Sequence, residues 1–468
     1  MSGSDVAGRS AIKPHVVTAA MFARLAAGGG GAEGARLLVD ADYSRRLATL
    51  RAVRDATARY GGDVERRSEE AWSALAAAQC RSPAVVRALI AYPSIGPALL
   101  RSLHALTAPG GASDARTVLD PGHALAALAA AAVVATGLPA RVGVTLYDRR
   151  IGLPGLGAVG FPGSGSDPFP ELPDGTWAAV EGGPSGARIT VGGRRVALSA
   201  APWQGLRVLV PAADPTVSTG GGLVLDDIDP YCAPVGGRCG RLSDAAWHRW
   251  RQVSDGGWEL LRAEHAEVAA EAAVVLRALV PLTGPPGGSR SGSSKETFGA
   301  TALTMPATAH DMALALSHEL QHNKLSALLH LFDLLAERPG ELFYAPWRED
   351  PRPLIGLLHG AYAHLGVARF WHRRLSCGRL EGAARHEAEV RFARWRDGAA
   401  EAVGTLLTCG RLTDIGVRFV TGMRDALDAL GRVPVRPAAA AESAAVAAEH
   451  RRRWDARHGA PTRAGLLG

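Results

Sequence analysis

The spacing of apolar residues changes twice along this chain, and that limits its architecture more than any other feature. From residue 16 to about 138, Ala, Leu, Val and Arg recur at intervals of three and four, as in 43–60 and 68–81. This is the period of amphipathic helices. Pro83, Pro93, Pro97, Pro109 and Pro121 punctuate the stretch, each opening or ending a helix because proline lacks an N–H and fixes φ. The glycines at 28–31 read as a flexible joint. Near Ala140 the period drops to two. Segments 141–147, 177–180, 187–191, 195–198 and 206–211 alternate and are separated by Gly, Pro, Asp and Ser, which predicts an antiparallel sheet of about five or six strands. Helical spacing returns at Ser243, and over 258–280 it sets Leu260, Leu261, Val268, Ala272, Val275, Leu276 and Leu279 largely on one stripe. The expectation is an α+β, predominantly helical protein. It has a helical region 1–139, a strand-rich region 140–242 and a helical region 243–468, the last interrupted by a mobile Gly/Ser-rich linker, 283–294.

Composition narrows the function classes. Apolar residues make up 47% of 468, enough for a large core and too many for a chain disordered as its main state. The net charge of +7 is spread over 52 basic residues scattered among 45 acids, with no run of five like charges. Such a diffuse field suits an anionic small molecule or an acidic peptide and offers no nucleic-acid tract. Five cysteines at irregular spacing build no disulfide framework, and Cys232 and Cys239 are too far apart for a CxxC knuckle. The polar segment 1–13 lacks a signal-peptide core, and the longest apolar run, 124–135, is shorter than the roughly 20 residues of a membrane span. A soluble, cytoplasmic protein is expected, with no membrane and no nucleic acid as partner.

Two clusters could carry chemistry. Asp226-Asp227-Ile228-Asp229 resembles a metal cluster, but Asp227 or Asp229 capping a turn before Pro230 is the favoured reading. The stronger cluster follows a buried strand at 298–304. There Pro306 and Thr308 open a helix running to about Glu337, stopped by Pro339-Gly340, with Thr308 and Asp311 at capping-box spacing. On it lies His318-Glu319-Leu320-Gln321-His322. Positions i and i+4 share a helix face, so both imidazoles can meet one ion, with Glu319 beside it or its bound water. A solvated face with two His and a Glu is the alternative, and the apolar surroundings from Met312 to Leu335 speak against it. Leu325 and Leu328 exclude the metzincin continuation. Glu337, Glu341 and Asp350 are possible third ligands, while Asp333 lies too far along the helix. A better source is the next helix, 354–373, opened by Pro353 at its first turn, where His359 and His364 stand five residues apart. An antiparallel packing would bring one of them to the ion. His359 is favoured because Gly360 allows close helix approach.

A longer set of stretches adds to the motif: Ser317-His318-Glu319-Leu320-Gln321-His322, then Lys324-Leu325 and Ala327-Leu328-Leu329. Further on come Tyr344-Ala345-Pro346-Trp347-Arg348, Asp350-Pro351-Arg352-Pro353-Leu354, and 356–364. Together they resemble the HExxH-motif domain of peptide-modification enzymes, which occurs alone or as the C-terminal partner of radical-SAM peptide maturases. The helical N-terminal region followed by a sheet, with Asp226-Asp227-Ile228-Asp229-Pro230-Tyr231 near its end, resembles the stand-alone members. The resemblance implies an oxygenase using Fe(II), α-ketoglutarate (2-oxoglutarate) and O2 to hydroxylate a side-chain β-carbon of a ribosomal precursor peptide. A radical-SAM maturase of the same pathway is a possible partner. It makes His318 and His322 iron ligands and leaves the third open among His359, His364 and a carboxylate, Glu319 included. The distal carboxylate of α-ketoglutarate needs a fixed cation, for which Arg352, Arg348 and Arg369 are candidates. Tyr344, Trp347 and Tyr362 shape the cavity or pack, packing being favoured for Trp347. Two alternatives compete: a zinc metallopeptidase with Glu319 as general base, and a non-catalytic peptide-binding module.

Overall fold

Thr18 caps the first helix, α1 (Ala19–Ala26), accepting the Met21 N–H on its side-chain oxygen. The computed structural model describes residues 14–108, 119–161, 172–210, 222–284, 290–336 and 340–459. The first region is helical as its periodicity predicts, with α2 (Gly31–Tyr60), α3 (Gly62–Arg81), α4 (Pro83–Ile90), α5 (Ile95–Thr107) and α6 (His123–Thr136). Pro83 opens α4 at its first turn. Pro109 and Glu337 to Pro339 lie outside the described residues.

The glycines between α1 and α2 are not a flexible joint. Gly28, Gly30 and Gly31 take φ of +78°, +123° and +62°, which suits glycine alone. The carbonyl of Gly28 accepts from Gln321 Nε2 and Lys324 Nζ, both at 3.1 Å. Gly29 O accepts from Lys324 at 2.7 Å, and Gly31 N–H donates to Glu271 at 2.7 Å. Freedom of φ is spent here on a tight turn that exposes its carbonyls to a buried ammonium. Burial pushes the Lys324 ammonium down, and the paired Glu271 carboxylate, 2.7 Å away, pulls it back.

The alternating segments form strands, but not one sheet. β1 (Arg141–Thr145), β4 (Trp177–Glu181), β5 (Arg188–Val191) and β6 (Arg194–Ala197) make an antiparallel sheet in the order β1-β4-β5-β6. β2 (Arg150–Leu153), β3 (Gly157–Gly160) and β7 (Trp203–Gly205) make a second. β8 (Arg207–Val210) and β9 (Leu223–Leu225) instead join β10 (Ala278–Pro281), β11 (Ser291–Gly292) and β12 (Ala300–Leu303). That five-stranded sheet has the order β11-β12-β10-β9-β8, with β10 parallel to both β9 and β12. Two expectations fall with it. The helix expected over 258–280 is split: α7 (Asp244–Glu264) breaks at His265, α8 (Ala266–Val275) ends at Val275, and Leu279 lies on a strand. The linker 283–294 is also not wholly a linker, because Ser291 and Gly292 pair with Leu303 and Ala302.

The rest of the chain is α9 (Ala309–Leu331), the short pair β13 (Leu342–Phe343) and β14 (Arg352–Pro353), α10 (Leu354–Ser376), α11 (Gly382–Thr408), α12 (Asp414–Gly431) and α13 (Pro437–His458). The five-stranded sheet divides the interior into two cores. Leu223, Leu225, Leu279 and Leu303 face one, built on α1 and α7–α12; Ala278, Val280, Ala300 and Ala302 face the other, built on α3–α6 and the two antiparallel sheets. Period-two alternation with both faces apolar is how a strand serves two cores at once. α2 spans both, with Ala35 and Leu38 in the first core and Leu50, Val53 and Ala56 in the second. No single helix among the described residues is long and apolar enough to cross a membrane.

Candidate metal centre

The site begins with a cap. Thr308 Oγ1 accepts the Asp311 N–H at 3.1 Å and donates to Asp311 Oδ2 at 2.8 Å, as the capping-box spacing predicts. α9 ends at Leu331, six residues before the expected stop at Glu337. Asn323 anchors it to the sheet, its Oδ1 accepting the Gly299 N–H at 2.7 Å. α10 starts at Leu354, with Pro353 as its cap residue and not in its first turn. The two helices run antiparallel: His318 meets His364, His322 meets His359, and Gln321 meets Gly366. The small residue that permits this approach is Gly366, where a Cβ would stand 2.5 Å from Gln321 Cγ. Gly360 has a different task. A Cβ there would run into the Trp347 indole, which stacks on His364 at 4.4 Å and 14°.

Four imidazoles converge. His318 Nε2 and His322 Nε2 face each other at 3.1 Å. Two nitrogens each 2.0–2.1 Å from one ion stand about 3.0–3.4 Å apart, so this spacing is that of two ligands on one metal. The donor atoms of His318, Glu319 and His322 all lie within 4.8 Å of one another. Burial pushes all four imidazoles below their ordinary range, His359 to about 4 and His364 to about 3, with neighbouring imidazoles adding to the effect at His322 and His364. Each is therefore neutral near pH 7 and presents a lone pair, the form a metal requires.

The two candidates on α10 differ in their nearest neighbours. His364 Nδ1 donates to Gly360 O at 2.8 Å, which leaves Nε2 bare, and its ring lies edge-on to His318 with centroids 5.2 Å apart. His359 approaches the opposite nitrogen of His322, Nδ1 to Nδ1 at 3.4 Å. It supports His322 from behind, as second partners of ligating histidines do. Neither ring joins His318, Glu319 and His322 in the set whose donor atoms lie within 4.8 Å of one another.

Glu319, 1% exposed, has Oε1 4.0 Å from His318 Nε2, and its Oε2 accepts from Ser293 Oγ. No sequence signal pointed to Ser293, which lies in the segment read as a mobile linker. Trp395 on α11 packs on His364 at 4.8 Å and was missed as well. Of the other carboxylates named from sequence, Glu341 pairs with Arg411 and Asp350 with Arg348, both at 2.7 Å, and Glu337 lies outside the described residues.

A groove of about 720 Å³ opens onto His318 and His364. The arginines expected to hold a carboxylate do not line it. Arg348 and Arg352 bind Asp350 at 2.7 and 3.3 Å, and Arg369 binds Ala27 O at 2.6 Å and Glu267 at 3.1 Å. Arg290 and Arg391 line it instead. Tyr344 donates to or accepts from His450 at 2.8 Å, and Tyr362 donates to Leu25 O at 2.5 Å, so both pack away from the groove. No protein-family model matches the chain, and no curated protein matches it.

Proposed function

We propose that this chain is an Fe(II)- and 2-oxoglutarate-dependent oxygenase that hydroxylates a side-chain β-carbon of a ribosomally synthesised precursor peptide. One observation carries the reading: two half-buried, neutral imidazoles 3.1 Å apart at the edge of a groove of about 720 Å³. The resemblance of 317–364 to HExxH-motif peptide-modification domains supplies the reaction. His318 and His322 hold the metal. His364 Nε2 is the third donor, its tautomer fixed by Gly360 O. His359 orients His322 through Nδ1, and Ser293 holds Glu319 beside the ion. Few protein donors leave coordination positions for small ligands. When bound, Fe(II) with 2-oxoglutarate and O2 supplies the oxidising chemistry, yielding succinate and CO2 and inserting one oxygen atom into a C–H bond. The distal carboxylate of 2-oxoglutarate falls to Arg391, four residues before Trp395 on the groove wall. Its own partner Glu387 is 62% exposed, so that ion pair holds it only weakly.

The placement of Glu319, within 4.0 Å of His318 Nε2, favours a second reading: a zinc metallopeptidase in which Glu319 takes a proton from a bound water. Anaerobic loading with Fe(II) or Zn(II), followed by metal analysis and assay of a neighbouring-gene peptide, separates the two. An added 16 Da with stoichiometric succinate supports the oxygenase. Tight zinc with peptide cleavage supports the peptidase, and neither outcome leaves a peptide-binding module.

A further inference from the structure

Beside the imidazoles, the five-stranded sheet ends in a strand that is paired on one side only. β11 is the terminal strand, with Ser291 opposite Leu303 and Gly292 opposite Ala302 on β12. Thr304 N–H donates to Arg290 O at 2.8 Å, so Arg290 and Gly292 turn their backbone groups toward β12. Antiparallel alternation then turns the N–H and C=O of Ser291 outward, on a strand that ends at Gly292. Among the described residues, no backbone partner takes them up. An edge of this kind is a template for another strand.

The edge borders the groove, since Arg290 and Ser291 line it together with His318 and His364. Its floor is one face of α9 from Asp311 to His318. The seven helical steps from Asp311 to His318 rise about 10 Å. An extended chain covers that length in about three residues. The charge along it is positive. Arg290 is exposed and has no acidic partner among the described residues, while Asp311 is turned to its own cap at Thr308.

We infer that the groove takes an extended, acidic peptide segment as a further strand on β11, with a carboxylate of the peptide on Arg290. The backbone bonds to Ser291 give affinity with little dependence on sequence, Arg290 selects charge, and the added strand carries one side chain to the imidazoles. The inference rests on the reading that this site acts on a peptide and holds for hydroxylation or cleavage alike.

The probe is a fluorescein-labelled pool of nine-residue peptides with Glu fixed at positions 3 and 7, titrated by anisotropy into the full chain under nitrogen without 2-oxoglutarate. Saturable binding is expected, with hydrogen exchange slowed at the Ser291 amide. Methylating alternate peptide nitrogens should weaken binding about tenfold or more. Ser291→Pro removes an outward N–H and no ladder bond, so it should weaken binding about tenfold with the melting temperature unchanged. Arg290→Glu should shift preference to a pool with Lys at the fixed positions. No saturable binding by the natural chain, or binding that leaves exchange at Ser291 unchanged, overturns the inference. If Ser291→Pro does not fold, exchange in the natural chain decides. Peptide binding at β11 without metal or oxidation would remove the oxygenase and keep this strand; oxidation without protection at β11 would do the reverse.

Discussion

The turn at Asp226–Asp229 and the imidazoles at His318–His322 look alike in sequence, each a tight cluster of metal-ligand residues. They differ in where their lone pairs go. Asp226 Oδ1 accepts the Ile228 and Asp229 N–H groups at 3.0 and 2.8 Å, and Oδ2 accepts from Tyr92 OH at 2.5 Å. Asp227 binds Arg241 and the Leu242 N–H, both at 2.8 Å, and Asp229 caps Tyr231 N–H at 2.9 Å. Every carboxylate there is consumed by the fold. At the other cluster, His318 Nε2 and His322 Nε2 face mainly each other. Residue type proposes a ligand; an uncommitted donor atom makes one.

The sharpest way to break this contrast is to remove one member of each cluster. His318→Ala or His322→Ala should abolish metal retention after dialysis, read by mass-spectrometric metal analysis, since loss of a direct ligand costs more than the 10–100-fold of a supporting partner. Asp229→Ala should leave metal content unchanged, and metal lost from that variant would put the ion in the wrong cluster. A second comparison divides the helix-pair site. His364→Ala should lose metal nearly as completely, whereas His359→Ala should weaken affinity by the 10–100-fold expected of a residue acting through His322. Equal losses would make His359 a ligand alongside His364. The third prediction concerns the carboxylate turn alone. Burial, and then the Asp229 charge, push Asp226 up to about 6. A folded carboxyl raised above its unfolded value binds more protons in the native state, so stability should fall as pH rises from about 4 to 6. The loss is about 3 kcal/mol. Asp226→Asn should flatten this pH dependence in denaturant titrations, and an unchanged slope would assign it to another group.

Local signals were legible where the physics is local. The Thr308–Asp311 cap, the buried strand ending at Leu303, and the i,i+4 pairing of His318 and His322 follow from spacing over a few residues. The failures share one cause. β10 reads as the end of a helix because Leu276 and Leu279 keep helical spacing, yet β9 and β12 on either side supply the ladder that makes 278–281 a strand. The glycines at 28–31 read as a joint because nothing nearby in sequence reveals Lys324, Gln321 and Glu271. Ser293 read as linker because its partner, Glu319, is 26 residues away.

By itself, the sequence determined that the chain is α+β and mainly helical, and that two imidazoles share one helix face. Both follow from side-chain periodicity, which depends only on the rise and twist of the local backbone. Tertiary structure alone decided that a five-stranded sheet serves two cores, that His364 packs against His318 and His359 against His322, and that an edge strand borders the groove. Those outcomes depend on which distant groups satisfy one another's hydrogen bonds and fill one another's space, and no short window of sequence contains both partners.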